Sequence, residues 1–182
     1  EALQEAAALV VSGPFQFIDD AELAAIAHFL AKGGRLCVML HIAEPVRPLL
    51  QSLGVAATMA PVREQANLIG DNPLAFLVTN FSEHPVTAGL KSFKVNGCWG
   101  VTNLTATSRV LAWSSPQAWS DMDEDGKMGP DEPLATLGVL VGGALGKGEF
   151  LVVGDDAVFQ NQFLTDGNLQ LAKNLAAWLK GE

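Results

Sequence analysis

"DDAELAAIAHFLAKGGRLCVML", residues 19–40, decides how the rest of the chain is read. Asp19 and Glu22 have the spacing of a capping box, in which each side chain bonds the other residue's backbone N–H. Ile18 and Leu23 suit the hydrophobic staple around it. Leu23, Ile26, Ala27 and Leu30 recur at helical spacing and give one apolar face. His28 falls off that face and reads as a solvated helix residue. Gly33 and Gly34 supply a left-handed stop. "RLCVML", residues 35–40, is then apolar without alternation, as in a central strand covered on both faces.

The same alternation extends to either side. "AALVVSG", residues 7–13, predicts a short buried strand that ends in a Gly-Pro turn. "EPVRPLLQSLG", residues 44–54, predicts a second helix, with Pro45 in its first turn and Gly54 as its stop. Strand, helix, strand, helix is the opening of a doubly wound α/β domain with a mostly parallel sheet. The middle differs. Short β-like pieces at 74–79, 91–103 and 108–114 are separated by turn residues, and predict a β-rich insertion over 55–133. Residues 133–142 and 148–156 then read as two strands around a glycine-rich turn. Residues 165–182 read as a helix with Asp166 as N-cap and Leu171, Ala172, Leu175 and Leu179 as its buried stripe.

At 182 residues and 49% hydrophobic, the chain suits one domain with a substantial core. A net charge of −9 with no basic cluster argues against nucleic acid and anionic lipid as partners. No stretch reaches the ~20 apolar residues of a spanning helix. The first residue is Glu1, so the chain is expected to be a piece of a longer protein. Cys37 lies in a strand pattern and Cys98 near a turn, and a bridge between them is left open.

"GKGEFLVVGDDAVFQNQFLTDGNLQLAKNLAAWL", residues 146–179, together with residues 9–40, resembles the class I glutamine-amidotransferase-like superfamily. It looks most like an uncharacterised bacterial branch related to gliding-motility ABC-transporter accessory domains. Gly154, Asp155, Asn161, Asp166 and Asn168 carry the likeness, with His84 and Pro85 in the middle. The resemblance implies a flavodoxin-like sheet. It does not imply amidotransfer, because that chemistry needs a cysteine on a sharp strand-to-helix turn between two glycines. "NGCWG" has Asn96 at one of those glycine positions, and His41, Ile42, Ala43 and Glu44 follow the central strand without a nucleophile.

"DMDEDGKMGPDE", residues 121–132, holds six acids in a chain only 17% charged. A twelve-residue calcium loop takes acids at its first, third and fifth positions, glycine at the sixth, a carbonyl at the seventh and a bidentate Glu at the twelfth. Asp121, Asp123, Asp125, Gly126, Lys127 (through its carbonyl) and Glu132 meet that pattern. No helix pattern flanks the loop, so a lone calcium loop between β elements is expected rather than a paired sensor. A solvated acidic turn is the other reading.

Further candidates are weaker. Asp155 and Asp156 follow a strand end, where open α/β sheets bind ligands, and the alternative is that they tie up turn backbone. His41 and Glu44 offer an acid and a base. His84 precedes Pro85 and suits a turn. Trp99, Trp113 and Trp119 suit either a sugar-stacking platform or a satellite core. Together these point to a non-catalytic binding or scaffold domain of the bacterial envelope, periplasmic or extracellular, holding a structural calcium ion. Its partner would be a protein or a small polar ligand. The competing reading is a hydrolase working through Asp155/Asp156 or His41/Glu44.

Overall fold

The computed structural model describes residue 3 and residues 5–182. Along the chain run β1 (Ala8–Ser12), α1 (Asp20–Ala31), β2 (Arg35–Met39), a 3-10 turn (Glu44–Val46), α2 (Arg47–Ser52) and β3 (Val55–Glu64). Next come β4 (Leu68–Ile69), β5 (Asn72–Val78), β6 (Asn80–Phe81), β7 (Phe93–Asn96), β8 (Trp99–Asn103), β9 (Ser108–Trp113) and β10 (Ala118–Ser120). Then follow β11 (Gly138–Leu145), β12 (Gly148–Val153) and α3 (Asp166–Lys180).

The capping box forms as the spacing dictates. Glu22 N–H donates to Asp19 Oδ1 at 2.8 Å, and Asp19 N–H donates to Glu22 Oε2 at 3.0 Å. The buried face of α1 is Ile26, Phe29 and Leu30, so Phe29 takes the place expected for Ala27. His28 is exposed.

The expected flavodoxin-like, doubly wound, mostly parallel sheet does not form. The six-stranded central sheet has the order β1-β2-β12-β11-β9-β6. Only β1–β2 and β2–β12 pair in parallel. The pairs β12–β11, β11–β9 and β9–β6 are antiparallel. Connection length is the reason. A parallel neighbour needs a crossover of about a dozen residues or more, usually a helix. Here β11 and β12 meet across a tight turn at residues 146–147, which permits only the antiparallel arrangement. Two three-stranded antiparallel sheets, β10-β3-β8 and β4-β5-β7, flank the centre. β6 and β9 come from within residues 55–133 yet extend the central sheet, so that stretch is woven into the fold.

Both faces of β2 and β12 are covered, as "RLCVML" requires, while β1 at the sheet edge leaves Val10 exposed. Leu36, Val38, Phe150 and Val152 pack with Phe29, Leu30, Leu49 and Leu50 of α1 and α2. Cys37, Met39, Leu151 and Val153 face the other way, onto Leu171, Leu175 and Trp178 of α3 and onto Phe76 and Phe93. Each large apolar side chain so buried contributes about 1.5–3 kcal/mol. Cys37 and Cys98 are free and buried. Burial pushes the Cys37 thiol up to about 12, and burial followed by the Asp155 charge pushes Cys98 well above its usual range. Neither is a thiolate at neutral pH. Cys98 lies between β7 and β8, with no helix behind it.

Two buried polar side chains tie β7 to the end of β12 and to α3. Asp155 follows β12 and is 2% exposed. Its Oδ1 accepts the Ala157 N–H at 2.8 Å, and its Oδ2 accepts the Asn96 N–H at 2.6 Å, which ties the β7–β8 turn to β12. A side chain at Gly154 would overlap the Trp99 carbonyl, so glycine alone lets this strand end reach β8. Asn168, fully buried in α3, accepts the Lys94 N–H at 2.7 Å and donates to the Lys94 and Val158 carbonyls. Thr165, not Asp166, is the N-cap of α3, and its buried stripe is Asn168, Leu171, Leu175 and Trp178.

Asn168→Ala strands one buried N–H of β7 and leaves its two carbonyl partners without that donor. The expected loss is about 2–4 kcal/mol in urea unfolding, because each orphaned buried group costs ~1–3 kcal/mol. Asp155 supplies a pH dependence. Burial outweighs the Asn96 and Ala157 N–H bonds and pushes its carboxyl from 3.8 up to about 6. The folded state therefore holds this proton more tightly than the unfolded chain. The contribution is fully present below about pH 4 and is lost as pH rises through about 6. Urea unfolding from pH 4 to pH 7 should show Asp155→Asn lacking that decline relative to the parent.

Candidate metal centre

β10 pairs antiparallel with β3, setting Ala118 opposite Glu64, Trp119 opposite Arg63 and Ser120 opposite Val62. Ala118 also bridges to Ala135, beyond the acidic segment. Residues 121–132 are thus a loop clamped at its base by β structure, with no helix on either side. Asp121 N–H donates to the Pro61 carbonyl at 3.2 Å and starts the loop on β3.

Inside the loop the acids fold the backbone. Asp121 Oδ2 accepts the Gly126 N–H at 3.3 Å, Asp123 Oδ1 accepts the Asp125 N–H at 3.2 Å, and Asp125 Oδ1 accepts the Lys127 N–H at 2.7 Å. Glu124 has φ 58° and Gly126 φ 80°, and the left-handed turn at 126 is the reason for glycine there. Glu132 closes the ring. Its Oε1 accepts the Met122 N–H and, at 3.4 Å, the Asp123 N–H, and its Oε2 accepts the Gly129 N–H at 2.8 Å.

This folding brings Asp121, Asp123 and Glu132 together, with one carboxylate oxygen from each within 4.8 Å of the others. Asp121 is 1% exposed and Glu132 5%, while Asp123 faces solvent. Asp125 stands outside this trio, and Lys127 enters the hydrogen bonding through its N–H. Arg63 is the partner that sequence reasoning missed. Its Nε donates to Asp121 Oδ2, and only the β3–β10 register brings together residues so far apart in the chain. The other oxygen, Asp121 Oδ1, is buried and has no hydrogen-bond partner in the protein, and neither does the indole N–H of Trp119. A buried carboxylate oxygen without a partner costs several kcal/mol unless a cation or donor reaches it. The loop thus offers oxygen ligands, crowded negative charge and one unmet acceptor, a donor set of the kind hard cations take.

The second region lies where β2 and β12 end. Their continuations leave toward opposite faces of the sheet, the position where open sheets bind ligands. A cleft of about 330 Å³ there is lined by His41, Asn96, Trp99, Asp155, Asp156 and Gln162, among others, and none of its lining side chains is Ser, Thr, Cys or Lys. His41 pairs with Asp156 (Nδ1 to Oδ1, 3.2 Å), and not with Glu44, which is bonded to Arg47 at 2.7 Å. Both oxygens of Asp155 are taken by backbone N–H groups. Trp99 donates its indole N–H to the His41 carbonyl at 3.0 Å, and Trp119 is buried at 4% exposure, so these two rings pack and tether. His84 caps the 3-10 turn Pro85–Thr87, its Nδ1 accepting the Val86 N–H. Burial, then the Arg109 charge, hold His84 below the usual imidazole range.

With this geometry established, known proteins supply a frame. The fold is similar to that of the mmIFT52 N-terminal domain, with a TM-score of 0.77 at 17% identity over 98% of this chain and 79% of that one. A putative ThuA-like protein from Bacteroides uniformis matches at a TM-score of 0.58 and 16% identity, over 97% and 70% of the respective chains. The β-galactosidase from Bacillus circulans sp. alkalophilus matches at 0.60 and 14%, over 98% of this chain but 24% of that enzyme. At such identities the likeness is one of fold. No curated protein matches the sequence. A family model does match, over residues 1–176, and the chain belongs to that family, described as "Domain of unknown function (DUF4350)".

Proposed function

We propose that this chain is a non-catalytic binding or scaffold domain whose acidic loop holds a structural calcium ion. One observation carries the reading: Asp121, Asp123 and Glu132 each bring a carboxylate oxygen within 4.8 Å of the others, and Asp121 keeps a buried oxygen without a partner. Glu132 Oε2 accepts only the Gly129 N–H and keeps a second lone pair for a metal, whereas Oε1 already accepts two N–H bonds. Asp125 stands outside this trio, its Oδ1 accepting the Lys127 N–H, and is not counted among the carboxylates of the site. A lone site clamped between β elements does not open a helix pair, so the ion acts as a brace. A lone site of modest affinity fills where calcium is millimolar, and the reading is therefore of a domain in the periplasm or outside the cell.

The hydrolase reading has less support. Asp155 is engaged by turn amides, Glu44 by Arg47, and the His41–Asp156 pair has no nucleophile beside it. A scaffold instead needs a surface for a partner, and Phe15 and Phe17, 73% and 63% exposed, are apolar groups available for a protein. No helix among the described residues is long and apolar enough to cross a membrane.

Trp119 lies two residues before Asp121, so terbium bound in the loop should emit when the indole is excited. Calcium should quench that emission by displacement. At free calcium a hundredfold above the dissociation constant the fold should gain about 2.7 kcal/mol over the chelated protein. Asp123→Ala should lose most of that gain. Equal melting of variant and parent in calcium, with no sensitised emission from either, would sink the reading.

A further inference from the structure

We infer that Arg63 is a built-in countercharge that holds the empty loop together and sets how strongly, and for which ion charge, the loop binds. This rests on the reading of the loop as a cation site.

The placement follows from strand pairing. Trp119 and Arg63 are directly opposed in β10 and β3, so their side chains share a face, and Asp121, two residues on, returns to it. The guanidinium binds Asp121 Oδ2 and lies under the turn, where a Cβ on Gly126 would sit 3.6 Å from Arg63 Nη2. The Arg63 side chain is only 18% exposed, so water screens it weakly. One carboxylate therefore faces two ways. Its Oδ2 is neutralised from within the protein, and its Oδ1 is left for an ion.

Formal charge gives the consequence. Asp121, Asp123 and Glu132 carry −3, Arg63 adds +1, and the sum is −2. A divalent ion brings the cluster to zero and a trivalent ion overshoots. The guanidinium and the ion sit on the same carboxylate and repel each other in proportion to the ion's charge. Arg63 thus weakens metal binding while paying part of the cost of burying Asp121 when no metal is present. Removing its charge should have opposite effects on the two states: a less stable apo protein and a tighter ion.

The test uses the whole chain carrying Arg63→Met, with Arg63→Gln as a milder variant that keeps a hydrogen-bond donor, and Arg63→Lys as the charge-conserving control. Calcium chloride is titrated calorimetrically and terbium chloride by Trp119-sensitised emission, and each protein is melted in chelator. Both neutral variants should melt lower than the parent in chelator and bind calcium about tenfold tighter or more. Their logarithmic gain for terbium should be about one and a half times that for calcium, the ratio of the ion charges. Arg63→Lys should keep an affinity near that of the parent. Ion binding by the parent with unchanged or weaker binding in the neutral variants overturns the role of Arg63 and leaves the site reading standing. Equal gains for the two ions overturn it as well, since they would report a contact rather than a charge. Absence of ion binding in every protein overturns the site reading, and this inference with it.

Discussion

A carboxylate at 1% exposure has to be neutralised, and Asp121 is neutralised on one oxygen only. Much of the local architecture answers to that constraint. β10 is short, but its register on β3 delivers Arg63 to Asp121. Glu132 reaches back across the loop to the Met122 N–H and closes the ring. On the next residue of β3, fully buried Glu64 anchors Ser115 through its backbone N–H and hydroxyl, bracing the approach to β10. A solvated acidic turn would not bury its first and last carboxylates. This one does, and Arg63 and backbone N–H groups meet every oxygen of the two except Asp121 Oδ1.

The same fold accounts for the quieter second region. Apolar layers close both faces of β2 and β12, whose chains leave to opposite sides with a cleft between them. Its best-placed acid, Asp155, holds two turns in register instead of facing a substrate. The free pair, His41 and Asp156, has no attacking group beside it.

Local chemistry was legible in the sequence wherever it was complete within a few residues. The capping box at Asp19 and Glu22 and the two-faced strand at 35–40 appear as the pattern dictates. Within the acidic segment, of the five residues expected to gather, Asp121, Asp123 and Glu132 meet, while Asp125 stands outside and Lys127 takes part through its N–H. What depended on pairing across the chain was not legible. β3, ten residues long, was not read as a strand, since Pro61 interrupts it and its small residues carry little pattern. With β3 unread, Arg63 had no route to the loop. The parallel expectation failed for a related reason: a strand–helix–strand opening says nothing of the later strands, which the tight β11–β12 turn forces antiparallel. Asn168, one of the motif positions quoted for the glutamine-amidotransferase-like resemblance, is a buried clamp between α3 and β7.

The central claim, that the loop closes around a divalent ion, is tested most directly by a crystal structure of the chain grown in saturating calcium. The expected result is a strong, fully occupied peak at about 2.3–2.6 Å from Asp121 Oδ1, Asp123 and Glu132, the distance range of calcium–oxygen bonds. An ordered loop with only water at Asp121 Oδ1, or with Asp123 turned into solvent in the same crystals, would contradict it.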